Sequence, residues 1–271
     1  GRISRMKMLP MSLYESMESN GKISLSALFD NPNLDIDGIQ SDMTIEDLIF
    51  AACRGGWPAS LNIRSRNARL LIARNYVDTV CSEDISRIDN IRRDEFLTRQ
   101  ILKSYSRNIS TLAKNSSILE DVVASGEVGC TKPTFEDYVD ALTRLFVIEN
   151  IPAWSPAIRS KTAIRSGFKR SFVDPSIVVA TLGLSPDALM TKLKTFGFIF
   201  EQMCIRDLRA YTPDFNSHIS YYRDRYGLEA DLVLHLSDGR YALIECKLGS
   251  KEIEYGAEHL NELKNLITIH N

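Results

Sequence analysis

The sequence predicts an α/β chain, α+β overall, in which a helical region is followed by a smaller unit of helices around a short run of strands. From Leu61 to Trp154 the apolar residues recur at the spacing of a helix. From Gly227 to Lys247, GLEADLVLHLSDGRYALIECK, they alternate instead, on either side of Asp238-Gly239. An Asp-Gly pair between alternating runs is a strong hairpin signal. At 271 residues, with 44% hydrophobic and 25% charged positions, the composition is that of an ordinary globular protein long enough for two cores.

A net charge of -2 gives no overall attraction to nucleic acid, so any such binding must use local patches. The five cysteines (Cys53, Cys81, Cys130, Cys204, Cys246) are scattered and never form a C-x-x-C pair. That argues against a zinc site and a disulfide framework, and suits a reducing cytoplasm. There is no secretory signal and no apolar run long enough to span a bilayer, so no membrane partner is expected. No G-x-x-x-x-G-K-[ST] occurs, so the residues present cannot form a phosphate-binding P-loop. The sequence carries no mark of an oligomeric state. Gly1 opens in mid-pattern without an initiator methionine, which predicts a fragment of a longer chain.

In chain order, Arg2 to Tyr14 alternates like a short strand ended by Pro10. Asn20-Gly21 marks a turn, and Phe29 to Gly38 a polar loop. Ser41 or Thr44 can cap a helix through Leu48, Ile49 and Ala52 that stops at Gly55-Gly56. Helical spacing then predicts helices over Ala68 to Cys81, Asp94 to Tyr105, Ser110 to Ser125 and Thr134 to Phe146. The last would open on a Thr134/Asp137 box after Pro133. Val147 to Trp154 reads as a strand. Helix, turn, helix, strand is the outline of a winged helix, a fold that reads duplex DNA or serves as a packing module.

Arg159, Lys161, Arg165, Lys169 and Arg170 follow with no acid until Asp174. Such a loop can track a phosphate backbone, or be an exposed linker between domains. Thr195 can cap a helix through Phe198, Glu201 and Leu208 to Tyr211. A strand at His218 to Arg223, the hairpin (Glu229 to Leu236 and Arg240 to Leu248) and a helix around Glu254 to Ile267 complete the order.

Strict alternation places Ala230, Leu232, Leu234 and Leu236 on one face of the hairpin, and Glu229, Asp231, Val233 and His235 on the other. On the second strand Leu243, Glu245 and Lys247 oppose Ala242, Ile244, Cys246 and Leu248. The face with Glu229, Asp231 and Glu245 thus carries three carboxylates beside Lys247. Like charges on neighbouring strands repel, so something positive is expected between them, most simply a hard divalent cation.

Asp231 followed by Glu245-x-Lys247 resembles the PD-(D/E)xK nuclease pattern. That resemblance implies Asp231 and Glu245 as ligands of Mg²⁺ or Mn²⁺, Glu229 and the helix residue Glu201 as supporting acids, and Lys247 as the charge that positions the nucleophile. The likeness extends further. Gly55-Gly56-Trp57-Pro58, Pro152-Ala153-Trp154, Phe172-Val173-Asp174-Pro175, Phe196 to Glu201, Glu229-Ala230-Asp231 and Ile244-Glu245-Cys246-Lys247 resemble the C-terminal region of bacterial and archaeal AAA-type P-loop ATPases. It implies a tail of the ATPase domain and linker helix over 1–60, a winged-helix-like domain over 61–157, and a restriction-endonuclease-like α/β domain over 158–271. ATP would bind only in the upstream domain, and DNA would be the substrate. The chain ends at Asn271, before the last strand such nuclease folds carry. Two other classes of function stay open at this point: a non-catalytic DNA- or protein-binding regulator of the ATPase, and a purely structural oligomerisation domain.

Overall fold

A computed structural model describes residues 7–124, 129–156, 167–213, 217–224 and 227–270. Helix α1 (Leu25–Asp30) is capped by Ser24, and α2 (Ile45–Arg54) by Thr44, which forms a reciprocal box with Asp47. Of the two caps expected for α2, the structure uses Thr44. Helix α3 (Arg66–Thr79) runs on through a π turn at Val80–Asp84 into the short α4 (Ile85–Arg87). Asp94 caps α5 (Glu95–Arg107), and α6 (Asn115–Ala124) follows. Helix α7 (Lys132–Arg144) is capped by Thr131, not by the expected Thr134. Pro133 fits the first turn, where no N–H is needed, so the helix starts ahead of it. Asp137 is instead drawn sideways to Arg93.

Two expected strands depart from expectation among the described residues. Of the strand expected over Arg2 to Tyr14, residues 2–6 lie outside the described residues; Lys7 to Leu13 carries no strand, and Met11 N donates to Gly56 O at 2.8 Å before the chain turns. Val147 to Trp154 is extended but changes partner at Pro152. Ile148 and Ile151 bridge Phe172 and Lys169, whereas Ala153 bridges Tyr221. Proline has no N–H to continue a ladder.

Asp174 caps α8 (Pro175–Thr181) and Ser185 caps α9 (Pro186–Met190). Helix α10 (Leu193–Tyr211) starts ahead of the expected cap Thr195, at Lys192 and with no side-chain cap. Strands β1 (Ser217–Arg223), β2 (Glu229–Leu236) and β3 (Tyr241–Ile244) pair antiparallel in that order, and α11 (Ser250–His270) lies after them. β2 has the predicted limits; β3 is shorter than expected because the chain leaves the ladder at Glu245. The result is a mixed α+β fold, as the sequence predicts.

The largest core gathers α2, α3 and α5 to α10 around Tyr105, Phe135, Phe172 and Phe196. It therefore includes residues on both sides of position 157. Helix α10 links this core to the sheet: Phe196, Ile199 and Met203 belong to it, and Ile205 to a second cluster with Ile151, Tyr221 and Leu232. On the opposite face of the sheet, Ala230 and Val233 pack with Leu263 and Ile267 of α11.

That division of β2 departs from strict alternation, and a β-bulge is the cause. Pairing jumps from Ser220 with Val233 to Tyr222 with Ala230, so Asp231 and Leu232 together oppose Tyr221. Ala230 is thereby shifted onto the α11 face with Val233, while Leu232 stays on the α10 face. The bulge turns the Asp231 carboxylate toward α10.

The GGWP and FVDP motifs close on each other. Asp174 accepts from Gly56 N at 2.8 Å, and Trp57 Nε1 donates to Ser176 Oγ at 2.9 Å. Gly55, at φ 76°, sits where a Cβ would lie 2.3 Å from Ser176 Oγ, and a Cβ on Gly56 would lie 2.3 Å from Met11 O. Neither position has room for a side chain.

Candidate functional site

Asp231, Glu201, Lys247 and Glu229 line one open cleft of about 630 Å³, together with Lys169. Asp231 is aimed there by the bulge. Glu201 enters from the middle of α10 and is only 7% exposed. Lys169 is fixed by reciprocal backbone hydrogen bonds of 2.9 Å with Ile151, which hold its side chain over α10.

The groups form a chain of opposite charges. The Lys169 ammonium donates to Glu201 Oε1 at 2.8 Å and to the Asp231 backbone oxygen at 2.9 Å, and lies 3.4 Å from Asp231 Oδ1. The other carboxylate oxygen of Asp231 accepts from Cys246 N at 2.9 Å, and Lys247 Nζ stands 3.6 Å from it. Lys247 also pairs with Glu245, which does not line the cleft and packs beside Gly256 of α11. Glu229 lies apart at the rim, half exposed and 3.7 Å from Arg223 across the strands.

Burial pushes the Glu201 carboxyl up to about 7, against the pull of Lys169. It also opposes the charge on Lys169, but Glu201 and Asp231 outweigh it and hold that ammonium above the ordinary lysine value. The same contest recurs at the outer pair: burial raises Glu245 against its bond to Lys247, while Lys247 is raised by its acids despite burial.

Several oxygens converging on one cation is an arrangement that a divalent ion also seeks. Here a protein ammonium stands at the convergence. Among the described residues, no group of three or more His, Cys, Asp or Glu side chains is gathered so that it could hold a metal ion. As placed, the acids do not fit a resident Mg²⁺ or Mn²⁺, because two lysines and a backbone N–H take the oxygens that would bind it.

The basic run divides. Arg159, Lys161 and Arg165 lie outside the described residues. Lys169 and Arg170 do not sit on a solvent-facing loop: both are buried, because their segment pairs with Ile148 and Ile151 and carries them into the fold. Arg170 donates to Ala113 O at 2.7 Å and to the Tyr105 hydroxyl at 3.0 Å. Lys169, expected as a phosphate contact of the basic run, is the site residue whose place beside the acids sequence reasoning missed. Its partners are 32 and 62 positions away, with no local pattern to tie them.

A family model described as Domain of unknown function (DUF8612) matches residues 45–188, and one described as Domain of unknown function (DUF4143) matches residues 196–270. The first runs from α2 and ends within α9; the second begins within α10 and takes in the sheet and α11. No curated protein and no solved structure matches the chain significantly.

Proposed function

The chain belongs to the family described as Domain of unknown function (DUF8612), and we propose that its C-terminal part is a nuclease-like module that binds a partner instead of hydrolysing phosphodiesters. In this reading it is a regulatory part of a larger ATPase-associated protein, joined through α10 to the helical region before it. One observation carries the proposal: both carboxylate oxygens of Asp231 are already answered, by Lys169 on one side and by Cys246 N and Lys247 on the other. A metal-dependent hydrolase needs such oxygens free for its ion.

The rim of the cleft supports a polypeptide partner over duplex DNA. Leu193 and Phe198 are about half exposed there, at 50% and 49%, and Leu248 lies beside them. The charges lining the same cleft, Lys194, Arg223, Glu229 and Glu252 among them, are of both signs. Apolar anchors within a mixed polar rim suit a protein surface, whereas a phosphate track asks for one sign.

A second reading, an Mg²⁺-dependent nuclease acting on DNA, is supported by the meeting of Asp231, Glu201 and Lys247 in one cleft. Incubating supercoiled plasmid with the chain in Mg²⁺ or Mn²⁺ separates the two. The binding reading expects no nicking by wild type or by Asp231→Asn. Nicking by wild type that Asp231→Asn abolishes would select the nuclease.

A further inference from the structure

We infer that Lys169 is the resident cation of this site, occupying the place of a divalent metal and keeping the site closed to one. The inference deepens the binding reading above and rests on it. Several features set this lysine apart from a surface ion pair. Its side chain is 9% exposed and its backbone is clamped to Ile151, so the ammonium cannot simply swing into water. It spans two elements, taking one oxygen from Glu201 on α10 and two from Asp231 on β2. The Tyr221 ring lies 6.0 Å from the ammonium and closes another side. A buried ammonium needs this number of oxygen partners to offset its lost hydration, and buried carboxylates need a cation for the same reason. Lys247 cannot do this work alone, because it is engaged by Glu245.

The consequence is a latent metal site. Removing the ammonium while keeping the stem leaves Glu201 and two oxygens of Asp231 facing one another, with only Lys247 on the far carboxylate oxygen of Asp231 to offset them, and a divalent cation with oxygen preference is the ligand that would fill the gap. The site is thus one substitution away from the charge balance that a metal centre requires.

Titration calorimetry of MnCl₂ into the intact chain tests this. Wild type should give no saturable heat, and Lys169→Met should bind Mn²⁺ about tenfold or more tightly than wild type. The double variant Lys169→Met/Asp231→Asn should return to the wild-type result. Where Lys169→Met is too unstable to titrate, its Tm should rise with Mn²⁺ while that of wild type does not. Equal Mn²⁺ binding by wild type and Lys169→Met would overturn the inference, and so would a flat titration and an unresponsive Tm in Lys169→Met. Flat titrations throughout would leave the binding reading standing, with Lys169 only a structural counter-ion. Asp231-dependent plasmid nicking by wild type would instead defeat the binding reading, whatever Lys169→Met does.

Discussion

Lys169 and Glu201 form a buried ion pair, Nζ to Oε1 2.8 Å, that ties the extended segment after position 167 to the middle of helix α10. Removing Glu201 leaves the buried Lys169 ammonium with Asp231 alone to offset its lost hydration. Glu201→Ala should therefore cost about 3–5 kcal/mol in urea unfolding. Lys169→Met/Glu201→Leu should recover most of that loss, since an apolar pair of similar volume often does as well as a buried ion pair. A double variant as unstable as the single one would show that the pair is not what holds these elements together.

The clasp between GGWP and FVDP predicts a contrast between two glycines. At Gly56 a Cβ would meet backbone atoms, Met11 O at 2.3 Å and Met11 N at 2.7 Å. Gly56→Ala should cost about 1–3 kcal/mol or more through overpacking. At Gly183 nothing lies within 4 Å and only the positive φ of 64° resists a side chain, so Gly183→Ala should cost about 1 kcal/mol. Chemical denaturation of the two variants side by side checks the order; equal losses would mean that the clasp yields easily.

Arg170 is buried in the helical core, where its bonds should serve the fold and not a phosphate contact. Its guanidinium lies between Tyr105 and Ala113, and the Tyr105 hydroxyl in turn donates to Asn150 at 2.6 Å. Arg170→Gln should destabilise the fold by about 1.5–3 kcal/mol, the range for hydrogen bonds to charged groups. Any salt dependence of DNA affinity should be unchanged. A stable variant whose salt slope falls by about one would return Arg170 to the nucleic-acid interface.

Acid should loosen the joint between α4 and α7. Arg93 is buried and holds Asp89 at 2.8 Å and Asp137 at 2.9 Å. Its hydrogen bond keeps the Asp89 carboxyl well below the usual carboxylate range. Because the folded-state pKa is depressed, the stability from Asp89 is fully present above about pH 4, the ordinary aspartate value, and is lost as pH falls toward the folded value. Wild type should thus exceed Asp89→Asn in stability at neutral pH, and the two should converge in acid. Curves that stay parallel down to low pH would assign the joint to Asp137 instead.

What could be read from the sequence was what is encoded locally. The Asp238-Gly239 turn set the limits of β2, and Thr44, Asp94 and the helical spacing placed α2, α3 and α5. Errors arose where distant segments decide. Pro152 makes one extended stretch serve two partners, and Pro133 draws the α7 cap back to Thr131. At the site, the residues of the Asp…Glu-x-Lys pattern could be named, because Asp231 lies on β2 and Glu245 to Lys247 directly follow its neighbour β3. The bulge at Asp231-Leu232 and the pairing of Lys169 with it could not, because a one-residue slip in pairing and a partner 62 positions away leave no periodic trace. The basic run shows the same limit: Lys169 looked like its neighbours until the fold buried it.

Anomalous scattering at the manganese edge, from crystals of the wild-type chain soaked in MnCl₂, addresses the ammonium-filled site most directly. Expected is no manganese peak within coordinating distance of Asp231 and Glu201, with Lys169 still bridging the two. A well-occupied peak between those carboxylates, with the Lys169 side chain displaced, would contradict it and restore a metal-dependent nuclease.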